Sequence, residues 1–95
     1  MAAYIVARIT VTDADQYENY KAAAPAAIAK YGGSYLARGG AIETLEGDDE
    51  TRRVVILEFP DMDAARRFYN SPEYTAARAK RADAATGQFV IVEGL

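Results

Sequence analysis

Three runs rich in β-branched residues, 4–11, 53–59 and 89–92, carry apolar side chains on both of their faces. The first sets Ile5, Ala7, Ile9 and Val11 on one side and Tyr4 and Val6 on the other. The second sets Val55, Leu57 and Phe59 against Val54 and Ile56, and the last sets Phe89 and Ile91 against Val90 and Val92. Each run is too short for a helix, and side chains alternate along an extended strand. An antiparallel sheet with one face in water alternates apolar with polar residues. These strands do not, so something must cover each face.

The intervening segments read as helices and turns. Thr12 and Asp13 are N-cap candidates, with Gln16 at capping-box spacing from Asp13. Tyr17, Tyr20, Ala24, Ile28 and Tyr31 then recur at helical steps, and Gly32-Gly33 end the helix as a left-handed cap prefers. Pro25 removes an amide donor within it and predicts a kink. Residues 34–38 read as the second strand, Gly39-Gly40 as a bulge or bend, and 41–46 as a continuation or a short edge strand. The Gly-Asp-Asp-Glu-Thr run is a turn, and 53–59 the third strand. A second helix over 62–70 presents Ala65, Phe68 and Tyr69 inward. Ser71-Pro72-Glu73 starts another, with Ser at the cap and Pro at the first position. It carries Tyr74, Ala77, Arg78 and Arg81 along one side and ends before Gly87.

The resulting order, β-α-β-β-α-β, is the ferredoxin-like α+β pattern: a four-stranded antiparallel sheet with its helices on one face. Helices on one side leave the other apolar face bare, which a monomer in water does not tolerate over a large area. A second copy packed sheet against sheet is the economical cover, so a homodimer is expected. With 95 residues the chain is a single domain spanning 1–95, and a domain this small has a thin stability margin that oligomerisation relieves.

Composition narrows the function by exclusion. The chain has no cysteine and no histidine, which removes thiolate nucleophiles, disulfides, histidine triads and the ligands that zinc and haem prefer. No metal and no cofactor is therefore expected. A net charge of −3 argues against a nucleic-acid partner. The apolar runs break well short of the roughly 18 residues of a membrane span. The N-terminal residues show no signal-peptide pattern, so the cytoplasm is the expected location. Neither Gly-Gly pair fits a phosphate loop, and Gly-Asp-Asp-Glu lacks the spaced ligands of a calcium loop.

The segments AYIVARI, VTDADQYENY, AAPAAIAKYGGSYLARGG, LEG, VVILEFPD, FYNSPEYTAARAKR and FVIVEGL, in that order, resemble the bacterial family called domain of unknown function 1330. The resemblance covers nearly the whole chain. It implies membership of the dimeric α/β-barrel superfamily, in which two ferredoxin-like sheets close into a barrel across a dimer. Relatives in that superfamily include cofactor-free monooxygenases, muconolactone isomerase-like enzymes and haem-binding chlorite dismutases. The family itself carries no established activity.

Charges on otherwise apolar strands are the candidate site. Arg8 shares a face with Tyr4 and Val6, and Glu58 shares one with Val54 and Ile56. Neighbouring first and third strands would set both on the barrel-facing side, and Arg38 is expected to join them. A buried carboxylate needs a partner, and a guanidinium supplies one. Any guanidinium left over suits an anionic ligand. Glu58 is then the candidate acid or base, with Arg8 and Arg38 stabilising charge on a ligand oxygen. The plain alternative is an ion pair that holds strand register. Tyr74 and Arg78, one helical turn apart, either line a pocket or brace their helix. Tyr17, Tyr20 and Tyr31 read as packing. Arg66, Arg67, Arg78, Lys80 and Arg81 read mainly as a solvated basic face. The expected function is binding or conversion of a small anionic or carbonyl-bearing molecule, with a non-enzymatic structural or stress-related dimer as the alternative.

Overall fold

The computed structural model describes residues 1–95. In chain order the elements are β1 (Ala3–Val11), α1 (Ala14–Lys30), β2 (Ser34–Arg38), β3 (Arg53–Phe59), α2 (Met62–Tyr69), α3 (Pro72–Ala79) and β4 (Ala85–Glu93). The strands form one antiparallel sheet in the order β2-β3-β1-β4. The molecule is 16 Å across its thinnest direction, a single helical layer on a single sheet. This is the α+β, ferredoxin-like arrangement that the sequence implies.

Local chemistry sets most element ends. The Asp13 carboxylate accepts the Gln16 amide at 3.1 Å and starts α1. Gln16 does not reach back to complete a capping box; its side-chain amide donates to the Lys80 carbonyl at 3.4 Å, tying α1 to the residue that ends α3. α1 continues through Pro25 as one helix of 17 residues, and Gly32 follows it in the left-handed region at φ 80°. Asp61 caps α2 through the Ala64 amide, and Ser71 caps α3 through the Tyr74 amide.

The core lies between sheet and helices. Ala3, Ile5, Ala7 and Ile9 of β1 and Val55, Leu57 and Phe59 of β3 are buried against Ala64, Ala65 and Phe68 of α2, Tyr74 and Ala77 of α3, and Tyr17, Tyr20, Ala24, Ala27 and Ile28 of α1. Fully burying a side chain the size of Phe59 or Phe68 contributes about 1.5–3 kcal/mol. The aromatic rings pack in sequence: Phe59 lies 5.0 Å from Phe68, and Phe68 4.4 Å from Tyr74.

The opposite face of the sheet has no helix. Tyr4, Val6, Val54 and Ile56 are half-buried there only by their neighbours, while Val90, Val92 and Leu36 are 42%, 50% and 54% exposed. An open apolar face, as the two-sided strands imply, is what the chain presents.

Two expectations about the connections need correction. Residues 41–46 form no strand; they belong to an irregular stretch between β2 and β3 in which Leu45 is 91% exposed. β2 is an edge strand, so a continuation would have a pairing partner on one side only. β4 starts at Ala85, ahead of the apolar run that begins at Phe89, because its first residues continue the ladder with β1, from Val11↔Ala85 to Ile9↔Gly87. The Ala84 carbonyl also accepts the Thr12 and Asp13 amides, at 2.7 and 3.1 Å. Pairing by backbone alone leaves no apolar alternation to read.

Candidate ligand site

A pocket lies between α1 and the sheet. Ala7, Ile9, Val55 and Leu57 form its floor, Tyr17, Tyr20 and Ile28 its roof, and Tyr35, Phe68 and Phe89 close its sides. Tyr17, Tyr20 and Lys21 fall on one side of α1 because they stand three and four residues apart. Lys21, Arg38 and Arg53 stand at the mouth, which continues into a solvent-open recess of ≈ 420 Å³ shared with Glu18 and Ala22. The enclosed space is ≈ 20 Å³, room for about one water. A ligand therefore enters by displacing side chains at the mouth.

Arg38 reaches this mouth because of a bulge. Tyr35 pairs with Leu57, but Ala37 rather than Leu36 pairs with Ile56, and Arg38 pairs with Val55. The extra residue moves Arg38 from the open face to the helix side, since strand side chains alternate with a period of two. There its Nη2 donates to the Lys21 carbonyl at 2.8 Å, and its guanidinium lies 4.6 Å from the Tyr35 ring centre. The bulge falls at Leu36, and Gly39, at φ 69°, takes the bend that Gly39-Gly40 permits.

Arg53 enters from the start of β3, opposite Ile9 and on the same side as Val55. Its guanidinium sits 5.8 Å from the Tyr17 ring centre, and its Nε is buried without a partner. Gly39, at φ 69°, lies against this guanidinium, and a side chain there would collide with it. Arg81 is buried deeper, at 8% exposure, between the rings of Tyr20 and Phe89 at 5.1 and 5.0 Å. Its Nη2 donates to the Tyr74 hydroxyl at 3.4 Å, and its Nε also lacks a partner. Neither Arg53 nor Arg81 forms an ion pair; the charged partners in the chain are Arg8, Arg52, Arg66, Lys21 and Lys30.

Burial pushes the phenols of the pocket above their ordinary range. It does so for Tyr17, against the lowering pull of the Arg53 and Arg81 charges, and for Tyr35 against that of Arg38. Tyr20 is raised furthest, by burial first and then by Tyr74, whose hydroxyl lies 2.7 Å from its own. These tyrosines are protonated donors at neutral pH.

The residues expected to form the site are distributed differently. Arg8 and Glu58 share the open face, as neighbouring β1 and β3 require, yet they do not meet: Glu58 stands opposite Tyr4, and Arg8 opposite Val54. At about 3.3 Å per residue that separates them by about 13 Å along the sheet. Arg8 instead pairs with Glu50, Nε to Oε1 at 3.1 Å. Glu50 also accepts from the Arg52 side chain at 3.0 and 3.1 Å and from its amide at 3.1 Å, which holds the Glu50 carboxyl down at about 2. Arg38 joins neither Arg8 nor Glu58.

Tyr74 and Arg78 do not meet through their polar groups. Tyr74 turns inward to Tyr20 and Arg81, while Arg78 stacks on Tyr69 at 4.7 Å. Arg81 is the departure from the solvated basic face: it lies in the turn just past α3, and its helical spacing from Tyr74 in the sequence was the signal. For Arg53, the signal was strand parity, a charge in step with Val55, Leu57 and Phe59. Tyr31, grouped with the packing tyrosines, donates to Glu73 at 2.7 Å outside the pocket. No cluster of carboxylates, histidines or cysteines is arranged to hold a metal ion.

A one-sided helical layer on an antiparallel sheet, with a pocket between the layers, defines a ferredoxin-like α+β protein. The chain belongs to the family described as Domain of unknown function (DUF1330), which it matches over residues 2–95. No curated protein matches it. Among solved structures it is similar to a protein of unknown function from Rhodopseudomonas palustris, RPA0582, at 20% identity and a TM-score of 0.77, covering 99% of this chain and 82% of that one. It is also similar to SnoaB, a cofactor-independent oxygenase from Streptomyces nogalater, at 21% identity and a TM-score of 0.70 over 99% and 93% of the two chains. A dimeric ferredoxin-like protein of unknown function from Thermobifida fusca gives 22% identity and a TM-score of 0.64 over 99% and 92%. At these identities the likeness extends to the fold.

Proposed function

We propose that the chain binds a small molecule with a negatively charged or carbonyl oxygen in the pocket between α1 and the sheet, and that it does so as a homodimer. The observation that carries this reading is Arg53, which lines the pocket with a buried Nε lacking a partner and forms no ion pair; Arg81, behind the rings of Tyr20 and Phe89, has the same orphaned Nε. A buried donor left without an acceptor is costly, and sites that break packing rules at such a cost are commonly functional. An oxygen anion from a ligand supplies the missing partner of Arg53. The aromatic walls suit a planar body, and Arg38 draws an anion to the mouth, where Lys21 is already paired with Glu18 at 3.1 Å. No nucleic-acid or membrane partner enters this reading. The proposed setting is the cytoplasm, where a cysteine-free domain has no call on disulfides.

The dimer would bring the open face of one sheet against that of another, burying Tyr4, Val6, Ile56, Val90 and Val92. Arg8 and Glu58 would then face the space between the sheets, where they keep their candidacy as binding groups and Glu58 as an acid or base. Dimeric neighbours of the same fold support this arrangement.

Thermal unfolding of the purified protein against aromatic carboxylates and phenols tests the pocket. A rise in Tm for wild type that Arg53→Met abolishes supports the reading, and a panel with no stabilising compound overturns it. The small enclosed volume favours one alternative, a non-enzymatic dimeric module whose pocket is filled by its own side chains. That alternative predicts no ligand effect on Tm and an unchanged dimer.

A further inference from the structure

The polar interior of the protein is a chain of donors with a direction. Arg81 has only N–H groups to offer, so in its 3.4 Å contact with Tyr74 the hydroxyl oxygen of Tyr74 accepts. The Tyr20 and Tyr74 hydroxyls lie 2.7 Å apart, and one of them must donate to the other. If Tyr20 donated, the Tyr74 proton would be left without a partner in a residue that is 1% exposed and does not line the pocket. If Tyr74 donates, the unspent proton belongs to Tyr20, which lines the pocket. Burying an unsatisfied O–H in packed surroundings is the costlier choice, so the order runs from Arg81 to Tyr74 to Tyr20.

Resting on the reading of this pocket as a ligand site, we infer that Tyr20 is its oxygen-recognition group, a hydrogen-bond donor ordered by Tyr74 and Arg81 for the phenolate or enolate oxygen of a planar ligand. Each donor in such a chain polarises the next, and the Arg81 charge at its far end favours negative charge on the acceptor. Burial keeps the Tyr20 phenol protonated, so it donates throughout the pH range in which a phenolate forms. The rings of Tyr17, Tyr35, Phe68 and Phe89 around it accept a flat body. No carboxylate borders the enclosed space to oppose an anion.

The probe is 4-nitrophenol, whose visible band reports its own ionisation, titrated into the full chain at pH values on both sides of its midpoint. Wild type is expected to bind it as the phenolate at a pH where the free compound is largely protonated. Tyr20→Phe is expected to weaken phenolate binding by about tenfold or more and to restore the protonated spectrum. Tyr74→Phe, which breaks the chain one link back, gives a smaller shift in the same direction and serves if Tyr20→Phe does not fold. Tyr31→Phe, whose hydroxyl binds Glu73 outside the pocket, leaves both readouts unchanged. Binding by Tyr20→Phe that equals wild type in strength and spectrum overturns the role of Tyr20 and leaves the pocket reading standing. Stabilisation of wild type by benzoate with no binding of 4-nitrophenol overturns the phenolate class alone. Failure of both probes overturns the inference together with the reading it rests on.

Discussion

The hydroxyl oxygens of Tyr20 and Tyr74 meet at 2.7 Å inside the protein, linking α1 to α3 across 54 residues of sequence. The contact lies at the crossing of two ring packings, with Tyr17 5.3 Å from Tyr20 on one side and Phe68 4.4 Å from Tyr74 on the other. Removing the Tyr74 hydroxyl strips a partner from both Tyr20 and Arg81 while leaving the ring in place. Tyr74→Phe should therefore lower unfolding stability by about 1–3 kcal/mol, the cost of buried groups left unsatisfied. Urea unfolding with an unchanged m-value checks it.

The open sheet face predicts the response to a charge at its centre. Ile56 pairs with Val6, which in turn pairs with Val90, so Ile56→Asp puts a carboxylate in the middle of the apolar surface. Light scattering after size exclusion is expected to report a dimer for wild type and a monomer or an unfolded chain for the variant, because an interface would bury that charge unpaired. A wild type that stays monomeric at micromolar concentration would sink the dimer proposal.

Acid should destabilise the fold through two carboxylates. Glu50, hydrogen-bonded to Arg52 and paired with Arg8, and Glu73, hydrogen-bonded to Lys30 and Tyr31, are each held down to about 2 from an ordinary 4.5. A depressed folded pKa means that the unfolded chain takes up protons first as pH falls. Their contribution is whole above about pH 4.5 and drains away as pH falls through about 2. Glu50→Gln and Glu73→Gln together should flatten the loss of Tm over that window and lower Tm at neutral pH.

Gly33 offers a test of packing without backbone strain, because its φ is not in the left-handed region. An added Cβ would lie 2.5 Å from Phe59 Cε1 and 2.9 Å from Ile28 Cγ2, and Phe59 is fully buried against Phe68. Gly33→Ala should cost about 1–3 kcal/mol through overpacking, where an alanine in open space would gain a little from the stiffer unfolded chain. Gly40 meets nothing within 4 Å and supplies the matched control.

Short-range chemistry controls the features that can be read along the chain alone. The caps at Asp13 and Ser71, the glycine stop after α1 and the alternation of the β1 and β3 strands depend on residues a few positions apart, and each is legible in order. The bare second face follows from the same alternation, because Val6, Val54 and Ile56 have no helix to meet. The site was decided elsewhere. One extra residue at Leu36 turned Arg38 from the open face to the pocket, and no glycine or proline marks that bulge. Tyr20, Tyr74 and Arg81 each fit a helix face on their own, and only the packing of α1 on α3 makes them one hydrogen-bonded line. Arg81 looks solvated by composition and is buried by tertiary structure, because whether a charge meets water depends on which distant rings close over it.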